Sequence, residues 1–323
     1  MSAHLGQYSP SAPNPDARAF RRGYSLLLAS VLLTAAGGIA MVAGGQSGAQ
    51  TPDSGAELPN SLSLNAVIRD FKAKGETGGH DDFQAYNGSV TVGLVQATLG
   101  DEGKPVLASL RGRTITTQFT DNQARNIMPA LYDATRGDRQ GATAAGGTGN
   151  GLTSEAKFNQ WYRDIPGTNL SKIVPLALTR VTGTNRYVFD SATDPHYVSR
   201  GGFFPINGDL LGNYSNTGKN FHFTTEVRTQ FTYERNRGQI FRFTGDDDVW
   251  VFVGNRLVID IGGLHSRAEQ NIDLDRLAWL QDGQQYDLVI FHAERRTTQS
   301  NFRIETNLRL RAAELPHDSG LAD

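Results

Sequence analysis

The chain has 323 residues and a formal net charge of −2 at pH 7, from 31 Lys and Arg against 33 Asp and Glu. This balance provides no electrostatic footprint for nucleic acid, so we expect no nucleic-acid partner. The absence of cysteine excludes disulfides, zinc–thiolate sites and thiol nucleophiles. The 36 glycines are typical of a turn-rich β protein rather than a helical one.

The first 60 residues predict an export segment followed by a linker. Residues 1–22 are polar and end in a basic cluster, and residues 23–45 are uncharged and largely apolar. This order predicts a secretory signal, with small residues before a cleavage point after Ala49. The apolar run also reaches the roughly 20 residues that span a bilayer, so an uncleaved membrane anchor is the alternative. In either case residues 46–60 are a linker, the rest is secreted or at the cell surface, and an uncleaved segment is the only expected membrane contact.

Residues 61–312 show the period-two alternation of β-strands, and residues 313–323 form a C-terminal tail. Within NFHFTTEVRTQFTY and NFRIETNLRL, alternate apolar side chains are predicted to face a core: Phe221, Phe223, Val227, Phe231, Tyr233, Phe302, Ile304, Leu308 and Leu310. Polar side chains between them, such as His222, Glu226 and Arg228, are predicted to face solvent, which is typical of antiparallel sheets. In VWVFVGNRLVIDI, Gly254-Asn255 predicts a two-residue hairpin turn.

Two short helices and one loose insertion are predicted between the strands. DNQARNIMPALYDA (residues 121–134) and SEAKFNQWYRDI (residues 154–165) are predicted to be short helices. The glycine-rich stretch RGDRQGATAAGGTGNG, residues 136–151, is predicted to be a mobile loop because it cannot bury apolar area. It contains the Arg136-Gly137-Asp138 tripeptide that some cell-surface receptors read. Tripeptides recur by chance, so we assign it no function.

Three carboxylates in a row precede an apolar strand in GDDDVWVF, residues 245–252. A solvated turn is the plainest interpretation, because Gly-Asp and Asp-Asp are ordinary turn residues. A bound Ca²⁺ is the second, since it takes about 6–8 oxygen ligands and would offset the repulsion among Asp246, Asp247 and Asp248. A catalytic carboxylate pair is the third, and it needs a distant partner such as Glu294.

Several motifs in the same order resemble the fibro-slime domain, a module of bacterial surface proteins and of secreted social-amoeba differentiation factors. They are GDDDVWVFVGNRLVIDIGGLH and GQQYDLVIFHAERRTTQSNFRIETNL, preceded by NAVIRDFK, GHDDF, FNQWYRDIPGTN, GGFFPING and NFHFTTEV. Asp81 departs from the family, which commonly has proline there. Fibro-slime domains are similar in turn to the protective-antigen-type lectin-like domain. The resemblance therefore implies an all-β fold, an antiparallel, jelly-roll-like β-sandwich.

The larger group is marked by an Asp-Asp pair before a strand and by a Leu-Val-Ile-Asp strand, which Asp246-Asp247 and residues 257–260 match. In its adhesin members a cis peptide joins the two aspartates, which together hold a Ca²⁺ that grips sugar hydroxyls. The resemblance implies a calcium-assisted, adhesin-like domain that binds a glycan or an extracellular-matrix component, with this pair as metal ligands. Asp248 stands where many relatives have glycine and is a further candidate ligand.

A second loop, HAERRTTQSNF, is expected to complete this site, with Asn301 supplying an amide oxygen to the metal and contacting the glycan. His265, Glu294 and Arg295 are expected to line the same end and to contact the glycan together with the aspartate pair. Simpler interpretations remain open for these three, namely salt-bridged residues at the edge of the site and a histidine that orders its loop.

Two other functions are left open. In one, an ordering Ca²⁺ stabilises a structural matrix or pilus-associated protein that has no glycan ligand. In the other, His292 and Glu294 lie two apart on one strand and join His265 as the metal site of an enzyme. Oxygenases with such a set usually place the close pair before the distant histidine, and the order here is reversed. We therefore expect a binding protein rather than an enzyme.

Overall fold

The computed structural model describes residues 58–85, 88–147 and 151–312. The export segment, most of the linker and the C-terminal tail that the sequence predicts lie outside the described residues. Within the described ranges, no helix is both long enough and apolar enough to cross a membrane.

Fourteen strands dominate the described residues, and both α-helices found there are about one turn long. The helices α1 (Glu155–Phe158) and α2 (Pro195–Val198) begin at side-chain caps. The strands are β1 (Ser61–Phe71), β2 (Thr91–Val92), β3 (Arg113–Thr117), β4 (Ala142–Ala145), β5 (Asn169–Arg180), β6 (Tyr187–Asp190), β7 (Phe223–Thr232), β8 (Ile240–Gly245), β9 (Asp248–Val253), β10 (Arg256–Ile261), β11 (Ala268–Asp273), β12 (Gln285–Glu294), β13 (Phe302–Thr306) and β14 (Arg311–Ala312).

The large sheet is antiparallel throughout and folds back on itself. Its strands follow the order β10-β9-β12-β7-β1-β5-β6-β13-β8-β11, with β14 paired to β7. Only two residue pairs join β5 to β6, so the sheet passes from one layer to the other at this hairpin. The two end strands of this order, β10 and β11, are also joined: the side chain of Gln270 on β11 makes two 2.9 Å hydrogen bonds to the backbone of Asp260 on β10. The predicted antiparallel β-sandwich is confirmed.

The main core lies between the two layers. All nine side chains that the alternation of β7 and of residues 302–310 assigned to the core are buried. Aromatic rings from both layers meet there, since His292 on β12 lies 5.2 Å from Phe302 on β13. The turn between β9 and β10 is also as predicted. Gly254 and Asn255 have φ angles of 53° and 68°, the left-handed values that a tight two-residue hairpin requires.

The outer faces of β9 and of most of β12 are buried, and on β7 the outward Thr224 and Glu226 are buried while Arg228 and Gln230 are half-buried, which corrects in part the prediction of a solvent-exposed face. A second apolar cluster lies on this side of the sheet, built from residues of β9, β10 and β12, from the last residue of β1 and from the chain between β1 and β5: Phe71, Phe83, Leu94, Val95, Met128, Phe158, Trp161, Tyr162, Trp250, Phe252, Leu257, Val289, Phe291 and Ala293. The alternation pattern predicted a solvent-exposed face because the polar residues of β7 do lie on the outer side of the sheet. They are covered by an insertion that shows no periodicity of its own.

Glu226 shows how this insertion accommodates a buried acid. Its carboxylate lies 2.6 Å from the Lys104 ammonium, 2.7 Å from Arg228 Nε and 3.0 Å from Arg69 Nη1. Burial alone would raise the pKa of Glu226, but the surrounding cations, Lys104 first, lower it. Glu226, which the alternation pattern assigned to the surface, is therefore buried and holds the loop that carries Lys104 through ion pairs.

The two predicted helices and the glycine-rich loop are only partly correct. Residues 121–134 contain no α-helix but one 3-10 turn, Pro129–Leu131, and the start of a second, Ala134–Arg136. The Asp121 carboxylate accepts hydrogen bonds from the backbone of Gln123 and Arg125 and holds a turn instead. Residues 154–165 form only the four-residue helix α1. The stretch predicted to be a mobile loop contributes β4, which pairs with β3.

The Arg136-Gly137-Asp138 tripeptide is part of the packed structure. Asp138 is 9% exposed and makes a two-pronged ion pair with Arg276, with distances of 2.6 and 2.7 Å. These two hydrogen bonds lower the pKa of Asp138. A receptor that reads an exposed aspartate would find this one already paired with Arg276.

Buried His222 is expected to make stability depend on pH. Its Nε2 lies 3.0 Å from Gln84 Oε1, and burial lowers the pKa of the imidazole to about 4. The unfolded value is about 6.5, so the folded state resists protonation, and stability is lost as the pH falls from about 6.5 towards 4. Between roughly pH 7.5 and 4.5 this group is expected to remove about 2.5 kcal/mol from the free energy of unfolding.

Urea unfolding of the wild-type protein and of the His222→Gln variant at both pH values measures this contribution. Glutamine keeps a hydrogen-bonding side chain but does not titrate, and the other ionisable groups are common to both proteins. The difference between the two pH dependences is therefore the contribution of His222. Equal dependences in the two proteins would contradict the expectation.

Candidate functional site

Asp246 and Asp247 lie between the end of β8 and the start of β9, and the peptide bond that joins them is cis. This is the linkage that the resemblance to adhesins implied. Although all three aspartates lie at a strand entry, their exposed fractions are only 3%, 6% and 0%. A solvated turn, the plainest interpretation of the sequence, is therefore excluded.

Asp246 is held by the loop that precedes β13. Its carboxylate accepts hydrogen bonds from the Asn301 backbone amide, at 2.5 Å, and from Asn301 Nδ2, at 2.9 Å. Burial raises the pKa of Asp246, and these bonds together with the charges of His265 and Arg267 oppose that rise. Its backbone carbonyl accepts a 2.8 Å hydrogen bond from His292 Nε2. Both ends of this residue are thus fixed from strand β12 and the loop after it.

Asp247 is held by backbone amides alone. One oxygen accepts from the amide of His265 and the other from the amide of Arg295, both at 3.2 Å. Burial raises the pKa of Asp247 well above its usual value; Arg295 opposes the rise, while Asp248 and Asp246 add to it. An anionic Asp247 is therefore costly in this position unless a further cation is present.

Asp248 has its counterion within the protein. Its carboxylate lies 2.6 Å from Arg295 Nε, both side chains are fully buried, and Gly263 donates a second 2.6 Å hydrogen bond. The Arg295 guanidinium lies 4.8 Å from the centre of the Trp161 ring. Asp248 is therefore the partner of Arg295 rather than a metal ligand, and a fully buried Arg295 cannot contact a glycan. Both predictions are corrected.

Glu294 is also fully buried, so its predicted contact with a glycan is wrong. Among the described residues, neither of its carboxylate oxygens has a hydrogen-bond partner, and the nearby Ser300 hydroxyl donates to the Phe203 carbonyl instead. Burial, together with Asp247 and Asp246, raises the pKa of Glu294 well above its usual value. Ser300 and the backbone of Arg296 oppose this rise, so a buried acid with little compensation lies close to the aspartate pair.

An open pocket of about 350 Å³ gives solvent access to the aspartate pair. Its walls are Gly88, residues 264–266 and residues 296–299. His265 lines it, as predicted, with its ring nitrogens 2.9 Å from the Ser266 carbonyl and 3.2 Å from the Ile261 carbonyl. Asn301 contacts the aspartate pair through its hydrogen bonds to Asp246 and does not line the pocket.

The proposed enzyme site is not assembled. In the described part of the chain, no three or more His, Cys, Asp or Glu side chains are grouped so as to share one metal ion. His292 is buried with Nε2 on the Asp246 carbonyl and Nδ1 3.2 Å from the Thr225 hydroxyl, and burial lowers the pKa of its ring to about 4. It therefore supports the aspartate pair as a neutral side chain. Because no third acidic or histidine side chain is grouped with the aspartate pair among the described residues, any ion bound there must also be coordinated by neutral oxygens.

Sequence reasoning identified the second loop but missed most of its wall residues. Arg296, Thr297, Thr298 and Gln299 line the pocket, whereas the neighbouring Glu294 and Arg295 are buried. Strand β12 ends at Glu294, so the change from buried to pocket-lining residues falls just after the strand end. The sequence signal was the run of polar residues between the last two apolar segments, which marks a loop without saying which of its side chains are exposed.

An antiparallel β-sandwich with a buried aspartate pair beside an open pocket is the class that this fold and site define. Residues 210–317 match the family model of the PA14 domain, and this range includes the aspartate pair and the loop before β13. The chain is also 33% identical over 264 residues to protein psiQ of Dictyostelium discoideum, covering 78% of this chain and 22% of that protein. Protein psiD of the same organism is 34% identical over 260 residues, covering 77% of this chain and 42% of that protein.

The chain spans about a fifth of the length of psiQ, and of psiR, which is 33% identical over 263 residues. Among solved structures, the PA14 domain of the MpAFP antifreeze protein is 14% identical, with a TM-score of 0.19 and coverage of 32% of this chain and 48% of that one. A β-glucosidase from Kluyveromyces marxianus in complex with glucose is 13% identical, with a TM-score of 0.20 and coverage of 29% and 11%. Scores at this level carry no functional argument.

Proposed function

We propose that residues 61–312 form an extracellular or cell-surface domain of the fibro-slime type that binds a glycan or matrix component with the help of Ca²⁺. The observation that carries the proposal is the buried Asp246–Asp247 pair at the wall of an open pocket. The PA14 match supports a lectin-like role. Binding without catalysis is part of the proposal.

The residues present fit a calcium ion. Ca²⁺ prefers hard oxygen ligands, and the aspartate carboxylates, Asn301 Oδ1 and the backbone carbonyls of residues 296–299 are of this kind. Glu294 adds a buried carboxylate with no hydrogen-bond partner among the described residues. Burial raises the pKa values of Asp247 and Glu294, and a bound cation would oppose that rise by stabilising the ionised carboxylates. When bound, Ca²⁺ would neutralise the pair and coordinate neighbouring hydroxyls of a sugar.

The protein's own residues position and frame the site. Asn301 and His292 fix the side chain and the carbonyl of Asp246, while the amides of His265 and Arg295 fix Asp247. The ion pair between Arg295 and Asp248 anchors the start of β9 beneath them. The pocket walls then present hydroxyl, amide and guanidinium groups to a ligand.

Calcium is expected to stabilise the chelator-treated protein. At a free concentration of 100 times Kd the gain in the free energy of unfolding is about 2.7 kcal/mol, measured as a rise in Tm. Asp246→Asn and Asp247→Asn should each abolish the rise, because the amide removes the charge while keeping the shape. Asp287→Asn is the matched control, since Asp287 is exposed on β12 near the end remote from the pair, and this variant should keep the full rise.

A glycan array with and without chelator tests the binding itself. Retained glycans should be lost on chelation and in both aspartate variants, and kept in Asp287→Asn. Retention that ignores the chelator and both substitutions would reject the proposed function. A calcium-dependent Tm with no glycan retained would instead assign the structural, matrix-associated alternative.

A further inference from the structure

One side of the long strand β5 is left uncovered by the sheet. Strand β1 pairs with β5 along almost its whole length, whereas β6 pairs only with Thr179 and Arg180. The Arg180 N–H donates to the Asn60 carbonyl just before β1, so the N–H groups of the even-numbered residues of β5 face β1. Those of Ser171 and Ile173 therefore point to the opposite side, where no strand of the described part of the chain pairs with them.

The same stretch of β5 is exposed on both faces. Residues 170–173 and Pro175 are all exposed, and the aliphatic Ile173 is 50% exposed. An unpaired edge of this kind tends to pair with another strand unless Lys or Pro interrupts it. Both residues occur here, but Lys172 is ion-paired with Asp209, and Pro175 retains its carbonyl, which points to the free side. The edge therefore remains able to accept a strand.

A groove between β5 and the segment around α2 leaves room beside this edge. It has a volume of about 400 Å³ and is lined by residues 172–175 of β5 and, across from them, by Asp194, Tyr197 and Arg200. A strand added to the sheet would lie about 4.8 Å from β5, which places it in this groove. Only another extended chain matches a row of alternating N–H and C=O groups, so the partner of this edge is a strand.

We propose that this strand is β5 of a second copy, so that two domains pair edge to edge in antiparallel fashion around a two-fold axis at Ile173. In this arrangement Ile173 exchanges both backbone hydrogen bonds with its equivalent, and the two exposed side chains lie side by side. Ser171 donates to the Pro175 carbonyl of the second copy. Lys172 lies opposite Val174 of the second copy, so the two lysines do not face each other.

The charges beside the edge are compatible with self-pairing. Lys172 and Arg200 are balanced by Asp194 and Asp209, so two copies of this surface do not repel each other as two surfaces of a single sign would. Two-fold pairing uses the same patch on both molecules, which is the usual form of a homodimer interface. The dimer would carry two aspartate-pair pockets and could hold a surface-bound ligand at two points. Its formation does not depend on what those pockets bind.

Cysteine cross-linking of the full chain tests the pairing, because the chain has no cysteine of its own. Ile173→Cys should form a disulfide-linked dimer under mild oxidation, since the paired Cα atoms would lie about 5.5 Å apart, within the range that a disulfide spans. Leu110→Cys is the matched control, because Leu110 is an aliphatic residue of similar exposure, 41%, outside β5 and the groove, and it should remain monomeric. Equal cross-linking of the two variants overturns the inference.

Sedimentation of the full chain without cross-links measures the same contact. Ile173→Lys places two ammonium groups opposite each other and should weaken self-association about tenfold or more, whereas Leu110→Lys should leave it unchanged. Both side chains are exposed, so neither substitution disturbs the core, and an unchanged Tm verifies this. A wild-type chain that sediments as a monomer, or one whose association Ile173→Lys does not alter, overturns the inference.

Discussion

Replacement of Arg295 by methionine is expected to lower the free energy of unfolding by about 3–5 kcal/mol, because it leaves Asp248 as an unpaired buried charge. The two side chains are fully buried and 2.6 Å apart, so the remaining carboxylate would be shielded from bulk solvent. The substitution also removes the guanidinium that lies on Trp161. Urea unfolding at neutral pH measures the loss.

A second substitution separates the charge effect from packing. Arg295→Met combined with Asp248→Leu removes both charges, and replacing a buried ion pair by apolar side chains is often neutral. The double variant should therefore recover most of the loss. If the double variant is less stable than Arg295→Met alone, the buried charge is not the cause.

Replacement of Trp161 by alanine is expected to cost about 3–5 kcal/mol, the range for large aromatic side chains removed from a core. Trp161 is 0% exposed, lies 6.3 Å from Trp250 and 5.7 Å from Phe83 between ring centres, and donates a 3.0 Å hydrogen bond to Asp82. It connects the covering insertion to the outer face of β9, so the loss should appear in the global unfolding transition followed by urea.

Trp279→Ala is the matched control, because the Trp279 ring is half-buried and packs at the edge of the main core under Arg256. Its removal should cost about 1–2 kcal/mol. A Trp161→Ala variant no less stable than Trp279→Ala would mean that the insertion is held on the sheet by its ion pairs, such as those of Glu226, rather than by the second apolar cluster.

Predictions from sequence succeeded where a local pattern has one structural solution. The inward side chains of β7 follow from period-two alternation, because successive side chains of a strand point to opposite faces. The Gly254-Asn255 turn follows from the two left-handed residues that a tight hairpin needs. They failed where distant chain covers a surface. Glu226 was assigned to solvent, yet it is buried by Lys104 and its neighbours, more than 120 residues away along the chain.

The same distinction applies to the site. Asp246 and Asp247 could be singled out because their motif is contiguous, and the loop before β13 could be singled out because it lies between the last two apolar segments. Which loop residues reach the pocket could not be predicted, because it depends on the last residue of β12 and on the packing of Trp161. Arg295 was assigned to a glycan, although its guanidinium is the internal counterion of Asp248.

By itself, the sequence determined the strands, the hairpin, the order of the motifs and the adjacent acids, since each depends on residues close together in the chain. The tertiary structure decided which of those acids has a cationic partner. Asp248 lies against Arg295, while the carboxylates of Asp246 and Asp247 accept hydrogen bonds from amides and none from a cationic side chain among the described residues. The physical reason is that the cost of a buried charge depends on which groups surround it, and those groups come from strands and loops that only folding brings together.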